Sequence, residues 1–175
     1  MMESAKYWDN RYSSGGTSGY GSYGEQLQKK LKWLVPLDFN TVTEVGCGNF
    51  NFGMNLLKRH PAQYIGMDVS EVILKKNREW FPEHIWLPAS QQIPPADLLL
   101  CIDVIFHVDN QQELLRRLES SWTKYLAITA YEYDQVNGLA PHVHIRKFDP
   151  SRFGTPIIRE QIEADGNLMF FLWKK

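Results

Sequence analysis

"TEVGCGNFNFG", Thr43 to Gly53, reads as a short β-rich run that ends in glycines and hands over to a helix. Gly46 and Gly48 make a GxG turn. Such a turn needs glycine because the chain reverses tightly and a ligand can approach the backbone with no Cβ in the way. A dinucleotide fingerprint would continue to a third glycine, but Asn51 stands there, which counts against NAD. Glu44 lies two residues before the first glycine. A carboxylate at a strand's end is costly to bury without a cation or a hydrogen-bond donor beside it.

Outward from this turn, strands and helices alternate. "EQLQKKLKWLVPL" puts Leu27, Leu31 and Leu34 on one helical face until Pro36 stops it. "FNFGMNLLKRH" is a helix ended by Pro61. "QYIGMDVS" is a second strand, with Ser70 as the cap of a helix "EVILKKNREW". "HIWLPAS" is a third strand, and "ADLLLCIDVIFHV" a fourth whose unbroken apolar run suits burial on both faces. A helix "DNQQELLRRLESS", capped by Asp109 or Asn110, leads to a fifth strand, "KYLAITAY". "HVHIRKF" and "LMFFLWK" are two further strand candidates. The alternation predicts a parallel sheet with helices on both sides, whose ligands bind beyond the carboxyl ends of the strands.

A chain of 175 residues is expected to form one domain with a real core. Its 43% hydrophobic and 22% charged residues are globular, and the net charge of −1 gives no general attraction for nucleic acid or an anionic membrane. No long apolar run or leader-like start is visible, and Cys47 and Cys101 are not spaced as a CxxC pair. A reduced, cytoplasmic protein is the expectation. Trp33, Trp80, Trp122 and Trp173 are expected in the core.

The residues that follow each strand carry the chemistry. Asp68 comes twenty residues after Gly48, where a carboxylate can accept from both ribose hydroxyls. Ala89 and Ser90 follow the third strand and can face an adenine edge. Asp103, Val104 and His107 stand at the rim after the fourth strand, with Tyr131 and Glu132 after the fifth. His142 and His144 would share one face of a strand, but no further ligand accompanies them, and no metal site is expected.

"EVGCGNF", "GMDVS" and "ADLLLCIDVIFHV", in this order and spacing, resemble the class I S-adenosylmethionine-dependent methyltransferases, over about Thr41 to Tyr131. The opening "YWDNRY…GGTSGYGSYG" is similar to that of a small bacterial and phage-type subset. The resemblance implies a Rossmann-like α/β fold, a doubly wound, mostly parallel sheet flanked by helices in a single domain. It implies S-adenosyl-L-methionine as cofactor. Glu44 would support the glycine turn and the methionine amino group, and Gly46, Cys47 and Gly48 would lie against the methionyl part. Asp68 would hold the ribose, Ser90 would meet the adenine in place of the more usual acid, and Asp103 would be a further ligand. His107 is the candidate general base, since it titrates near neutrality and follows a cofactor-contacting strand. No "NPPY" run follows the fourth strand, which favours a small-molecule acceptor over DNA.

Gly15 to Gly24 has linker composition, yet glycines for tight turns and flat aromatics also suit a mobile lid ordered by the cofactor, with residues 1–24 as the lid segment. Tyr7, Trp8, Tyr12, Tyr20 and Tyr23 would supply its surface, and Arg11 would meet the methionine carboxylate. Residues 25–175 would form the methyltransferase domain. The expected function is methyl transfer to an O or N nucleophile of a small molecule, by a monomer or weak dimer. The alternatives are transfer to RNA, protein or a glycan, a cofactor-binding relative without turnover, and an NAD-dependent oxidoreductase.

Overall fold

The computed structural model describes residues 2–135, 140, 142–162 and 168–175, without the side chains of Met2, Glu3 and Tyr20. The ring of Tyr20 therefore lies outside the described residues.

Seven strands form one sheet: β1 (Thr41–Val45), β2 (Gln63–Asp68), β3 (Ile85–Pro88), β4 (Ala96–Cys101), β5 (Trp122–Tyr131), β6 (Ile158–Gln161) and β7 (Leu168–Lys174). Their order is β3-β2-β1-β4-β5-β7-β6. The first five are parallel, whereas β7 is antiparallel to β5 and to β6. The helices are α1 (Met2–Ser13), α2 (Gly24–Leu34), α3 (Asn51–Leu57), α4 (Glu71–Trp80) and α5 (Gln111–Ser121). This is the doubly wound α/β fold, and its strand order reverses between β1 and β4, the switch point at whose carboxyl edge such sheets form their ligand crevice.

Local chemistry explains the helix starts. Ser70 Oγ accepts from the Ile73 N–H at 3.3 Å to cap α4, and Asn110 Oδ1 accepts from the Glu113 N–H at 3.2 Å to cap α5. The apolar stripe of α2, Leu27, Leu31 and Leu34, packs on one sheet face with Phe39, Phe52 and Leu56. Leu114, Leu115 and Leu118 of α5 cover the other face with Trp122 and Trp173. Leu98 to Cys101 of β4 are buried on both faces.

The opening run forms helix α1, whose Tyr7 and Trp8 rings pack against His142 and His107. Two expectations are corrected. "HVHIRKF" is irregular: Ile145 and Phe148 are its buried apolar residues, and their spacing of three does not fit the two-residue period of a strand. Trp80 is 59% exposed at the end of α4 and is no core residue. Trp122 and Trp173 are buried and Trp33 half-buried, as expected. Among the described residues no helix is long and apolar enough to cross a membrane.

Candidate active site

Three acidic side chains surround the crevice. Glu44, on β1, is 2% exposed, and its Oε2 accepts from the Tyr64 hydroxyl at 2.5 Å. Burial raises its carboxyl to about 8 against the opposing pull of that hydrogen bond, so it is mostly protonated at neutral pH. Asp68 ends β2 and accepts from the N–H groups of Gly48 and Ser70, each at 2.9 Å. Burial raises it to about 6, and those N–H groups restrain the rise.

Asp103, just past β4, has a left-handed backbone with φ 58°, unusual for a residue with a Cβ. Its N–H donates to Thr129 Oγ1 at 2.6 Å, and that hydroxyl donates back to Oδ1 at 2.8 Å. Its Oδ2 meets Lys30 Nζ at 2.5 Å. Lys30 comes from α2, is fully buried, and also donates to the Gly21 carbonyl at 2.9 Å. A buried charge pair of this kind is tolerated because both partners have further hydrogen bonds.

The glycine turn leaves no room for side chains. A Cβ on Gly46 would stand 2.1 Å from Val104, and one on Gly48 would stand 1.9 Å from Ser18 Oγ. Both have positive φ. Cys47 between them turns its thiol into the core against Gly66, where burial pushes its pKa well up. Its N–H bonds to the Met67 carbonyl at 2.9 Å, and its carbonyl accepts from the Phe50 N–H at 3.0 Å.

The opening segment lies over this edge. Asp9 Oδ1 accepts from Ser70 Oγ at 2.5 Å and from the Val72 N–H at 3.3 Å, which docks α1 on the start of α4. The Tyr12 hydroxyl is 3.3 Å from Ser18 Oγ and is held protonated, its pKa raised mainly by burial. Ser18 Oγ accepts from the Asn49 N–H at 2.9 Å and donates to Asn49 Oδ1 at 2.8 Å. The Tyr23 hydroxyl accepts from Asn49 Nδ2 at 2.9 Å. Arg11 Nε donates to the Thr17 carbonyl at 2.6 Å, within the segment itself.

Tyr7 and Trp8 of α1 reach the far side of the crevice. Tyr7 stacks on His142 with centroids 3.8 Å apart, and Trp8 meets His107 edge-on at 5.3 Å. His107 is half-buried, and its pKa is lowered, chiefly by burial. His144 turns elsewhere, its Nε2 2.9 Å from Asp109 Oδ1, so the two histidines do not face a common point. Ser90 is exposed in the turn after β3, beside Ala89, whose N–H reaches the Asp68 carbonyl at 2.8 Å.

The fold thus gathers the predicted Glu44, Gly46, Gly48, Asp68 and Asp103 at one crevice, with Tyr7, Trp8 and His107 along its rim. Ser90 is farther out, and Arg11 and the Cys47 thiol are turned to other partners. Lys30, Ser18 and Asn49 were missed. Lys30 could have been found, since it shares the apolar stripe of α2 with Leu27, Leu31 and Leu34, where a lysine must have a buried partner. Three acids with Lys30 as the single buried lysine or arginine among the described residues suit a ligand that brings positive charge, which would draw the raised Glu44 and Asp68 into their ionised forms. An aminoalkyl sulfonium such as S-adenosylmethionine fits that set, and the turn offers it backbone unobstructed by Cβ atoms.

Residues 43–121 match the family model of the methyltransferase domain. No curated protein matches the chain by sequence. Among solved structures, the magnesium protoporphyrin IX methyltransferase of Synechocystis PCC 6803 with bound S-adenosylmethionine is 14% identical, with a TM-score of 0.70. That likeness covers 98% of this chain and 94% of the other. The N-methyltransferase NodS of Bradyrhizobium japonicum WM9, in complex with S-adenosyl-L-homocysteine, is 10% identical with a TM-score of 0.72, covering 98% of each chain. Residues 43–121 thus match a methyltransferase domain, within a chain that shares the fold of these two methyltransferases.

Proposed function

We propose that this enzyme methylates an O or N nucleophile of a small molecule, with residues 1–24 closing over the cofactor crevice as a lid. The observation that carries the reading is the convergence of Glu44, Asp68 and Asp103 on a glycine turn covered by α1 and Ser18. S-adenosylmethionine, when bound, supplies a methyl group already activated by the sulfonium charge. The chain's own task is then to bind, align and exclude water.

Gly46, Gly48 and the Cys47 main chain give the methionyl part its close backbone approach. Asp68 accepts from the ribose hydroxyls with the lone pairs its two N–H donors leave. Glu44 braces the turn and faces the amino group, and Asp103, held by Lys30 and Thr129, adds a further acceptor. Ser90 meets the adenine edge. Tyr7, Trp8, Arg11 and Tyr23 form the cover, and His107 is the base that receives an acceptor proton. The small-molecule acceptor is supported by the net charge of −1 and by the fold shared with a magnesium protoporphyrin IX methyltransferase. The two buried, unpaired thiols suit a reducing cytoplasm.

Labelled S-adenosylmethionine incubated with fractionated cell extract tests the acceptor. Label in the small-molecule fraction is the expected result, and label confined to RNA, protein or polysaccharide would transfer the reading to a macromolecular acceptor.

A further inference from the structure

The loop after β5 does more than line the rim. His107 Nδ1 lies 3.1 Å from the main-chain carbonyl of His142. A carbonyl oxygen only accepts, so Nδ1 must carry the proton. In the neutral ring Nε2 is then the lone-pair nitrogen, and it has no hydrogen-bond partner among the described residues.

Three contacts, all made by His144, anchor the loop two residues beyond the His142 carbonyl. The His144 N–H donates to the Phe106 carbonyl at 2.7 Å. Gln111 Nε2, on a buried side chain at the start of α5, donates to the His144 carbonyl at 2.6 Å. The His144 ring meets Asp109 Oδ1 at 2.9 Å. Phe106, His107, Asp109 and Gln111 belong to one continuous stretch, so the loop is pinned to the same segment that carries the base. Trp8 and Phe106 pack on the His107 ring at 5.3 and 4.6 Å between centroids and limit its rotation.

From this geometry we infer that Gln111 and His144 are positioning residues that fix His107 in the Nδ1–H tautomer, and that the acceptor is a hydroxyl compound. The inference rests on the methyltransferase reading. A hydroxyl must lose its proton as it is methylated, whereas a neutral amine can attack without a base and shed its proton afterwards. In the transfer the acceptor oxygen bonds to the methyl carbon, and the carbon–sulfur bond breaks with its electron pair left on sulfur. The hydroxyl proton passes to His107 Nε2. Charge balances, since the sulfonium becomes a neutral thioether as the imidazole becomes imidazolium.

Histidine-labelled full-length protein with S-adenosylhomocysteine tests the lock by long-range nitrogen–proton NMR. The wild type is expected to show His107 as a single tautomer, protonated at Nδ1 and bare at Nε2. Gln111→Leu and His144→Phe should each bring in the other tautomer while calorimetry gives unchanged S-adenosylhomocysteine affinity. With methyl-labelled cofactor and matched pairs, phenol with aniline and an alkyl alcohol with its amine, label should go to the hydroxyl member. Its rate should fall about tenfold or more in both variants. A wild-type His107 protonated at Nε2, variants with the wild-type spectrum, or label preferring the amines overturns the inference. Loss of S-adenosylhomocysteine binding by the wild type itself would instead defeat the methyltransferase reading.

Discussion

Glu44 and Asp68 differ in what the sequence could say of them. Their positions at the ends of two strands were legible, because an acid followed by a GxG turn and an acid twenty residues later are patterns with a physical rationale. Their protonation was not, since it depends on burial and partners that come from distant elements. Glu44 is raised to about 8 and Asp68 to about 6, both chiefly by burial. A carboxyl raised in the folded state binds its proton more tightly there than in the unfolded chain. Stability from these groups is therefore full at low pH and is lost as pH rises from about the ordinary carboxylate range toward about 8. Urea unfolding of the ligand-free protein should give a lower midpoint at pH 8 than at pH 5, and Glu44→Gln should flatten that difference. An unchanged slope in the variant would place the titration elsewhere. A positively charged ligand favours the ionised acids, so its binding should release protons near neutral pH, read as a buffer-dependent calorimetric enthalpy. Asp68→Ala should weaken S-adenosylmethionine binding more than His107→Ala does, and equal losses would mean that cofactor and acceptor roles are wrongly divided.

Helices were easier to read than the pieces that cover the site. The caps at Ser70 and Asn110 and the apolar stripes of α2 and α5 act locally, so a sequence window contains the whole signal. β6 was missed because its burial alternates only weakly and its pairing partner β7 lies beyond a separate segment. α1 was hidden for the same reason: its mean composition is polar, and what orders it is contact with α4 and the rim residues. Those contacts are specific enough to test. Lys30→Met leaves the Asp103 carboxylate without its cation and should cost about 3–5 kcal/mol in chemical unfolding. Loss within the range of an exposed surface substitution would show that the pair is not buried in solution. Asp9→Ala removes the acceptor for Ser70 and Val72, and should cost about 1 kcal/mol while speeding proteolysis within residues 1–24. Unchanged proteolysis would mean that α1 is anchored by other residues.

Across the whole molecule, the order β3-β2-β1-β4-β5-β7-β6 sets the crevice at the switch between β1 and β4. The register of β1 with β2, which pairs Val45 with Met67, brings the glycine turn beside Asp68. The parallel half of this arrangement follows from strand–helix alternation, and the antiparallel β5–β7–β6 half follows from the apolar tail returning along β5. Residues 142–148, beside His107, are least legible, because they are irregular and their path depends on contacts with Phe106 and Gln111. Cofactor binding, by contrast, depends on the part of the fold that is most fully specified. Calorimetry of the full-length protein with S-adenosylmethionine, S-adenosylhomocysteine and NAD tests the central claim most directly. The account predicts that both sulfur nucleosides bind at micromolar concentrations and that NAD does not. Absence of binding by either sulfur nucleoside, or binding of NAD in their place, would contradict it.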